Sequence, residues 1–327
     1  MLAYDWIEQA EERIRSAIRQ TPLTYDTELN LYLKWENRQI TGSFKARGAI
    51  NKVLSMAPRE REKGLVTASA GNHGQGVALA GKKYGIPVIV FCSINAIPTK
   101  VEAMRSLGAE VRLIEGGYGN AEQVGLDYAA ATGMIWISPY NDPQVIAGQG
   151  TICLEVLKDN RNLRSATWLV PVGGGGLISG IGAALKRESQ VGVLIGVQPE
   201  ASAFFNAIYH RGDQENVDDR PTLADGLSGP VEENSMTIPL VKKMVDEFIL
   251  VSEDEIIGGI SAAWQRYGEV IEGSAAAALA AVLYGKVSLR PAVVIISGGN
   301  IQPEVHAEII NRLGRRQGAG QSWEDLQ

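Results

Sequence analysis

The chain has little cysteine: two residues in 327, Cys92 and Cys153. That excludes a disulfide framework, and the pair lacks the spacing of a zinc site. Both read as small apolar core residues in a reducing compartment. A surplus of positive charge is missing as well. With 31 lysines and arginines against 37 acidic residues the net charge is −6, and basic positions such as Arg13, Arg15 and Arg19 are scattered rather than gathered into a stripe. This excludes a general nucleic-acid binder. Long apolar runs are absent too: the stretch at 275–283 is about half of the ~20 residues needed to cross a bilayer. Met1 leads into an amphipathic stretch without a basic start and apolar core, so no signal peptide is expected and the expected location is the cytoplasm. No repeat of solenoid period is visible. These absences leave small-molecule chemistry, with no nucleic-acid or membrane partner.

A length of 327 residues and a hydrophobic share of 45% suit one large or two moderate domains around sizeable cores. Short β-branched runs recur at 64–69, 87–92, 109–114, 134–138, 167–172, 193–198 and 292–297. Helical periodicity fills most of the gaps, as at 73–84, 99–107, 121–131 and 177–187. Strands alternating with helices predict an α/β protein with parallel sheets covered on both faces. Gly85 and Pro87 stop one helix and start the next strand, and Gly108 after Leu107 does the same. Four runs fall between 64 and 138 and a second group begins after 167, so two sheets are expected, with boundaries near 49 and 140. The tail from Arg315, with Gly318, Ala319 and Gly320, reads as polar and frayed.

Three clusters carry chemistry. Gly173, Gly174, Gly175 and Gly176 join a buried strand run to a helix run that opens at Leu177. Such a junction lets backbone approach a ligand and presents the free N–H groups of a helix start to an anion. It is not a dinucleotide fingerprint, because Ile178 and Ser179 stand where glycine is needed; nor is it a P-loop, because Ile181 follows Gly180 where lysine is required. A phosphate cup and a tight turn without a ligand both fit this run on its own. Ser69, Ala70, Gly71, Asn72 and His73 follow one strand run, and Ser297, Gly298, Gly299 and Asn300 follow another. Active-site groups of parallel sheets gather at the carboxyl ends of strands, so both clusters could face one crevice. Ser69, Asn72 and main-chain N–H groups suit a carboxylate, whereas His73 reads either as a general base or as a residue filling the helix start.

Lys45 lies in Thr41-Gly42-Ser43-Phe44-Lys45-Ala46-Arg47-Gly48-Ala49, with a cap-like opening before it and small residues after it. A desolvated lysine has a lowered pKa and becomes a nucleophilic amine, and apolar Phe44 beside it helps. An aldehyde cofactor bonded to an amine needs a phosphate cup, a partner for its ring nitrogen and a loop for the substrate carboxylate. The three clusters around Lys45 therefore point to pyridoxal phosphate.

With Gly148-Gln149-Gly150-Thr151 added to these motifs, the chain resembles the threonine dehydratase and serine racemase group of fold-type-II pyridoxal phosphate enzymes. The resemblance runs from residues 14–22 to Asn300. It implies a tryptophan synthase β-like architecture, each domain an open, mostly parallel sheet flanked by helices. Residues 1–49 and 141–327 would form the large cofactor-binding domain and 50–140 a small mobile one, in a homodimer or homotetramer. Carried over by motif, Lys45 would form the Schiff base with pyridoxal 5'-phosphate and act as the base at Cα, with Phe44 beside the cofactor. Gly173, Gly174, Gly175, Gly176 and Leu177 would hold the phosphate, Asn72 the ring's 3-oxygen and Ser297 the pyridine nitrogen. Ser69, Ala70, Gly71, Asn72 and His73 would hold the substrate carboxylate.

A hydroxyl cannot protonate a pyridine as a carboxylate can, so Ser297 favours prompt loss of a β-leaving group over a long-lived carbanion. The cofactor phosphate is the proton donor that the resemblance implies for departing water. Two departures from the racemase pattern stand out. Ala70 occupies the position where racemases place a serine that serves the second face of Cα. Gln198 and Phe204 stand where several relatives bind a divalent ion through acidic residues; a hard cation wants charged oxygens, so no metal is expected. Nearby Glu200 and Asp225 read as solvated charges. The chain also stops where longer biosynthetic relatives add a regulatory domain. The activity implied is dehydration of L-threonine or L-serine to 2-oxobutanoate or pyruvate plus ammonia. The alternatives are a serine racemase and a dehydratase for another β-hydroxy amino acid (3-hydroxyaspartate, phenylserine or a hydroxyectoine derivative). Tyr118, Asn120 and Tyr140 are candidates for the pocket around the β-substituent.

Overall fold

The computed structural model describes residues 4–186 and 192–317. Met1, Arg187 at the end of the expected 177–187 helix, and Gly318, Ala319 and Gly320 lie outside the described residues. In chain order the strands are β1 (Leu23–Asp26), β2 (Leu31–Trp35), β3 (Leu65–Ala68), β4 (Val88–Ser93), β5 (Glu110–Ile114), β6 (Ile135–Trp136), β7 (Thr167–Pro171), β8 (Leu194–Pro199), β9 (Glu247–Val251) and β10 (Ala292–Ile296). The helices are α1 (Tyr4–Ile14), α2 (Lys45–Ser55), α3 (Pro58–Arg61), α4 (Asn72–Tyr84), α5 (Pro98–Ser106), α6 (Tyr118–Thr132) and α7 (Pro143–Asp159). They continue with α8 (Gly176–Leu185), α9 (Phe204–Arg211), α10 (Thr237–Met244), α11 (Glu253–Tyr267), α12 (Gly273–Leu283) and α13 (Pro303–Gln317). Helix α13 runs through Arg315, where the sequence suggests a frayed tail.

The strands form two sheets. The larger has the order β1-β2-β10-β7-β8-β9 and the smaller β5-β4-β3-β6. Among the described residues only the β1–β2 strand pair is antiparallel; the other neighbouring strands in both sheets are parallel. Every residue of β3, β7, β8 and β10 is buried, as a parallel sheet covered on both faces requires. One face of the larger sheet packs Trp168, Ile178, Ile181 and Phe205; the other packs Leu169, Val197, Leu279 and Ile296. A third core gathers Ile50, Val53, Val77, Val90 and Met104 around the smaller sheet. Three strands go beyond the sequence reading: β1, β2 and β9. In β2 the fully buried Lys34 interrupts the apolar pattern, and only Val245 and Asp246 separate β9 from the end of helix α10.

Two contacts set where helix α2 lies. Its Arg47, fully buried, donates to Glu36 and Glu155, and Lys34 donates to Glu155 and to the Thr21 carbonyl. The Gly148–Thr151 motif supplies the second. A Cβ on Gly148 would stand 2.7 Å from the Arg47 carbonyl oxygen, and one on Gly150 would stand 2.8 Å from that of Gly180. Helix α7 thus touches α2 and α8 backbone to backbone, while Gln149 accepts from the Gly48 N–H at 3.1 Å. The motif locks the lysine helix to the helix that follows the glycine loop.

Candidate active site

Each motif sits at the carboxyl end of a parallel strand or beside one. The glycine loop follows β7, Ser297 follows β10 and the Ser69 loop follows β3. The Lys45 segment joins them through main-chain bonds: Phe44 N–H donates to the Ser297 carbonyl (3.0 Å), Gly299 N–H to that of Gly42 (2.9 Å), and Ser43 bridges Gly298. The opening before Lys45 does not cap as its sequence suggests. Phe44 occupies the N-cap position without a side-chain bond, and the buried Ser43 hydroxyl has no partner.

Lys45 is the first residue of α2, and its Nζ donates to the Pro139 carbonyl at 2.9 Å. Burial pushes the amine down to about 8, while the carboxylate of Glu272 pulls the other way. Phe44 does more than exclude water: its ring centroid lies 5.2 Å from Nζ, close enough to favour the charged form. His73 is buried, and its Nε2 bonds to the Ile137 carbonyl at 3.0 Å, which requires the proton on Nε2. Burial first, then the nearby Lys45 charge, lowers its pKa to about 3. A group so reluctant to accept a proton, with that nitrogen tied to main chain, fills the helix start rather than serving as a base.

The Ser69 hydroxyl accepts from Gly71 N–H at 3.1 Å, so it shapes its own loop. Asn72 Nδ2 donates to Glu272 Oε1 at 2.7 Å, and Asn72 Oδ1 accepts from Asn300 Nδ2 at 2.7 Å. Glu272 is a site residue that the sequence reading missed. A lone acid between Ile271 and the small-residue helix α12 was the available signal, and it reads equally well as an ordinary first-turn charge.

The glycine loop fits an anion. Helix α8 begins without a side-chain cap, leaving its first N–H groups for a ligand, and Gly175 at φ 82° makes the turn that a larger residue resists. A Cβ on Gly173 would stand 3.0 Å from the Gly226 carbonyl oxygen, and one on Gly174 would overlap the ring of Tyr140. Tyr140 therefore lies across the loop, its hydroxyl accepting from Glu232 N–H at 3.0 Å. Tyr118 opens α6 and donates to Glu122 at 3.0 Å; Asn120 is exposed and folded against Gly116. Where an acidic ligand would fall, the buried Gln198 Oε1 accepts from Asn206 N–H at 2.7 Å, and Phe204 packs into the core. Among the described residues no group of three or more His, Cys, Asp or Glu is placed to hold a metal ion, and no helix is long and apolar enough to cross a membrane.

A buried lysine of lowered pKa near a strand-end glycine loop that suits an anion and near strand-end amide groups, on two mostly parallel sheets, fits the fold-type-II class of Schiff-base enzymes. Residues 14–298 match the family described as "Pyridoxal-phosphate dependent enzyme", and the chain belongs to it. It is 40% identical over 319 residues to an L-threonine ammonia-lyase of Thermotoga maritima, covering 95% of this chain and 79% of that protein. Among solved structures it is similar to maize serine racemase, with TM-score 0.88 and 29% identity over 97% of this chain and 100% of that one. A threonine deaminase from T.th. gives 0.84 and 34% over 92% and 99%. The cofactor is pyridoxal phosphate, and the amine, glycine loop and buried Ser297 fit it.

Proposed function

We propose that this enzyme dehydrates L-threonine to 2-oxobutanoate and ammonia, and L-serine to pyruvate and ammonia. The observation that carries the reading is the buried Lys45 amine, lowered to about 8 and donating to the carbonyl of Pro139, whose neighbour Tyr140 lies against Gly174 and Gly176, with Glu272 linking it electrostatically to Asn72. The likeness to two L-threonine ammonia-lyases and a catabolic L-threonine dehydratase at 37–41% identity supports the substrate. When bound, pyridoxal phosphate supplies an aldehyde carbon and an electron-withdrawing ring. Gly173, Gly174, Gly175, Gly176 and Leu177 hold its phosphate, Ser297 its ring nitrogen and Asn72 its ring oxygen, and Phe44 flanks the lysine. Main-chain N–H groups from Ser69 to His73 receive the substrate carboxylate. Burial favours the neutral amine of Lys45, whose Nζ lone pair would accept the proton that leaves Cα. His73 moves no proton. Ala70 offers no acid or base on the opposite face, which favours elimination over inversion at Cα.

A serine racemase is the second reading, favoured by the likeness to maize serine racemase and opposed by Ala70. The proposal extends to a homodimer or homotetramer, with residues 50–140 as a small domain moving against 1–49 and 141–327. The test is 2-oxo acid release from L-threonine by purified protein with pyridoxal phosphate, L-serine and D-serine run beside it. Rapid 2-oxobutanoate formation is the expected result. No product from a yellow, cofactor-loaded protein moves the substrate to another β-hydroxy amino acid. No product from a colourless protein overturns the reading.

A further inference from the structure

Glu272 is a buried carboxylate, 6% exposed, to which the mechanism above gives no task. It occupies the N-cap position of α12, yet its side chain makes no capping bond and turns to the crevice instead. On one side it lies against the Ser297 loop: its N–H donates to the Gly298 carbonyl at 3.1 Å, and a Cβ on Gly298 would collide with Oε1. On the other side it accepts from Asn72 Nδ2. Asn300 completes the arrangement, its Nδ2 donating to Asn72 Oδ1 and to the Thr41 carbonyl at 2.8 Å. A carboxylate only accepts, so Glu272 and Asn300 together fix which end of the Asn72 amide faces which way. One N–H of Nδ2 goes to Glu272 and the second is left for another acceptor.

We propose that Glu272 is a positioning residue, acting through Asn72 to aim that second N–H at the cofactor's ring oxygen, and that it does so only as a carboxylate. The proposal rests on the assignment of Asn72 to the ring oxygen given above. A protonated Glu272 would itself become a donor and compete for the orientation of the amide. The charged groups that face it are Lys45 from α2, Lys100 from α5 and Asp225, which Lys100 contacts at 2.7 Å. Burial, then Asp225, pushes the carboxyl up to about 7 against the pull of Lys100 and Asn72. Positioning is therefore present above neutrality and lost below it. Stability moves the opposite way. A carboxyl raised in the folded state relieves its burial cost as pH falls, so an acid limb from Glu272 is not unfolding.

The experiment titrates the visible absorbance of the bound cofactor, together with kcat and KM, against pH in the wild type, Glu272→Gln, Asn72→Ala and the double variant. The wild type is expected to show an inflection near pH 7 in both readouts. Glu272→Gln should lose the inflection and lower kcat about 10-fold, the scale of one charge-assisted hydrogen bond. In the Asn72→Ala background the same change should add less than about 2-fold. An inflection retained in Glu272→Gln, or effects that multiply in the double variant, overturns the proposal. If Glu272→Gln takes up no cofactor, the wild-type titration decides alone, and no inflection near neutrality overturns it. A wild type that binds no cofactor would instead bring down the functional reading, and this assignment with it.

Discussion

Replacing Arg47 with methionine tests how helix α2, and with it Lys45, is held. The guanidinium is 0% exposed and donates to Glu36 through Nε (2.7 Å) and Nη2 (2.8 Å), and to Glu155 through Nη1 (2.7 Å) and Nη2 (2.9 Å). Thr151 Oγ1 accepts a further bond at 3.1 Å. Lys34, also 0% exposed, covers Glu155 at 2.6 Å. Two cations thus face two carboxylates with no net charge. Methionine keeps apolar volume but leaves Glu36 with only the Thr21 hydroxyl, while Lys34 still covers Glu155. One buried charge is unpaired, and breaking such a pair costs about 3–5 kcal/mol. Against about 5–15 kcal/mol for a whole domain, the variant should fold with a much lower urea midpoint.

The pH dependence supplies a second check on the same cluster. In the wild type, Arg47 and then Lys34 hold Glu155 below the usual carboxylate range despite its burial. A depressed carboxyl contributes stability that is present above its unfolded value and is lost as pH falls. In Arg47→Met, Glu155 loses the stronger of those two pulls and keeps only Lys34, so it loses less stability on acidification than in the wild type and part of the penalty should vanish as pH falls from neutrality. Arg47→Lys keeps the charge without the forked donors and should lose less. The assay is urea unfolding of the apoprotein at neutral and mildly acid pH. A neutral-pH loss below about 1 kcal/mol, or a penalty that grows with acid, refutes the reasoning.

Lys45→Ala should lower kcat on the order of 10³-fold while leaving the circular dichroism spectrum unchanged, and full turnover would refute the mechanism. Ala70→Ser should produce measurable D-serine from L-serine by chiral chromatography; no D-serine would mean that something else closes the second face of Cα. Gly174→Ala drives a Cβ into the Tyr140 ring, a stiff group pinned through its hydroxyl. Its expected effect is about 10-fold weaker cofactor binding, read by absorbance titration, which corresponds to the ~1–3 kcal/mol range of overpacking.

What the sequence revealed and what it hid follow from one physical difference. A glycine run at a strand end, a lysine at a helix start and an amide at a strand end are matters of residue type within a few positions, so Gly173, Lys45 and Asn72 stand out in local wording as candidates. Alternating strand and helix runs are local as well, and with them the two parallel sheets. Buried charge is not local. Lys34 inside β2 reads as an interruption until Glu155, 121 residues away, is seen to pair with it. Glu272 reads as a first-turn acid until Asn72, 200 residues away, donates to it. The Gly148–Thr151 motif lies between these cases: its glycines are visible, but their task of letting α7 touch two backbones exists only once α2 and α8 are in place. The same division separates His73 from Lys45. Both are ionisable residues beside glycine and small side chains, and only packing shows that one nitrogen is tied to the Ile137 carbonyl while the amine is held at Pro139. Residues that do chemistry directly leave local marks, whereas residues that orient them are legible only through their partners, and Glu272 belongs to the second kind.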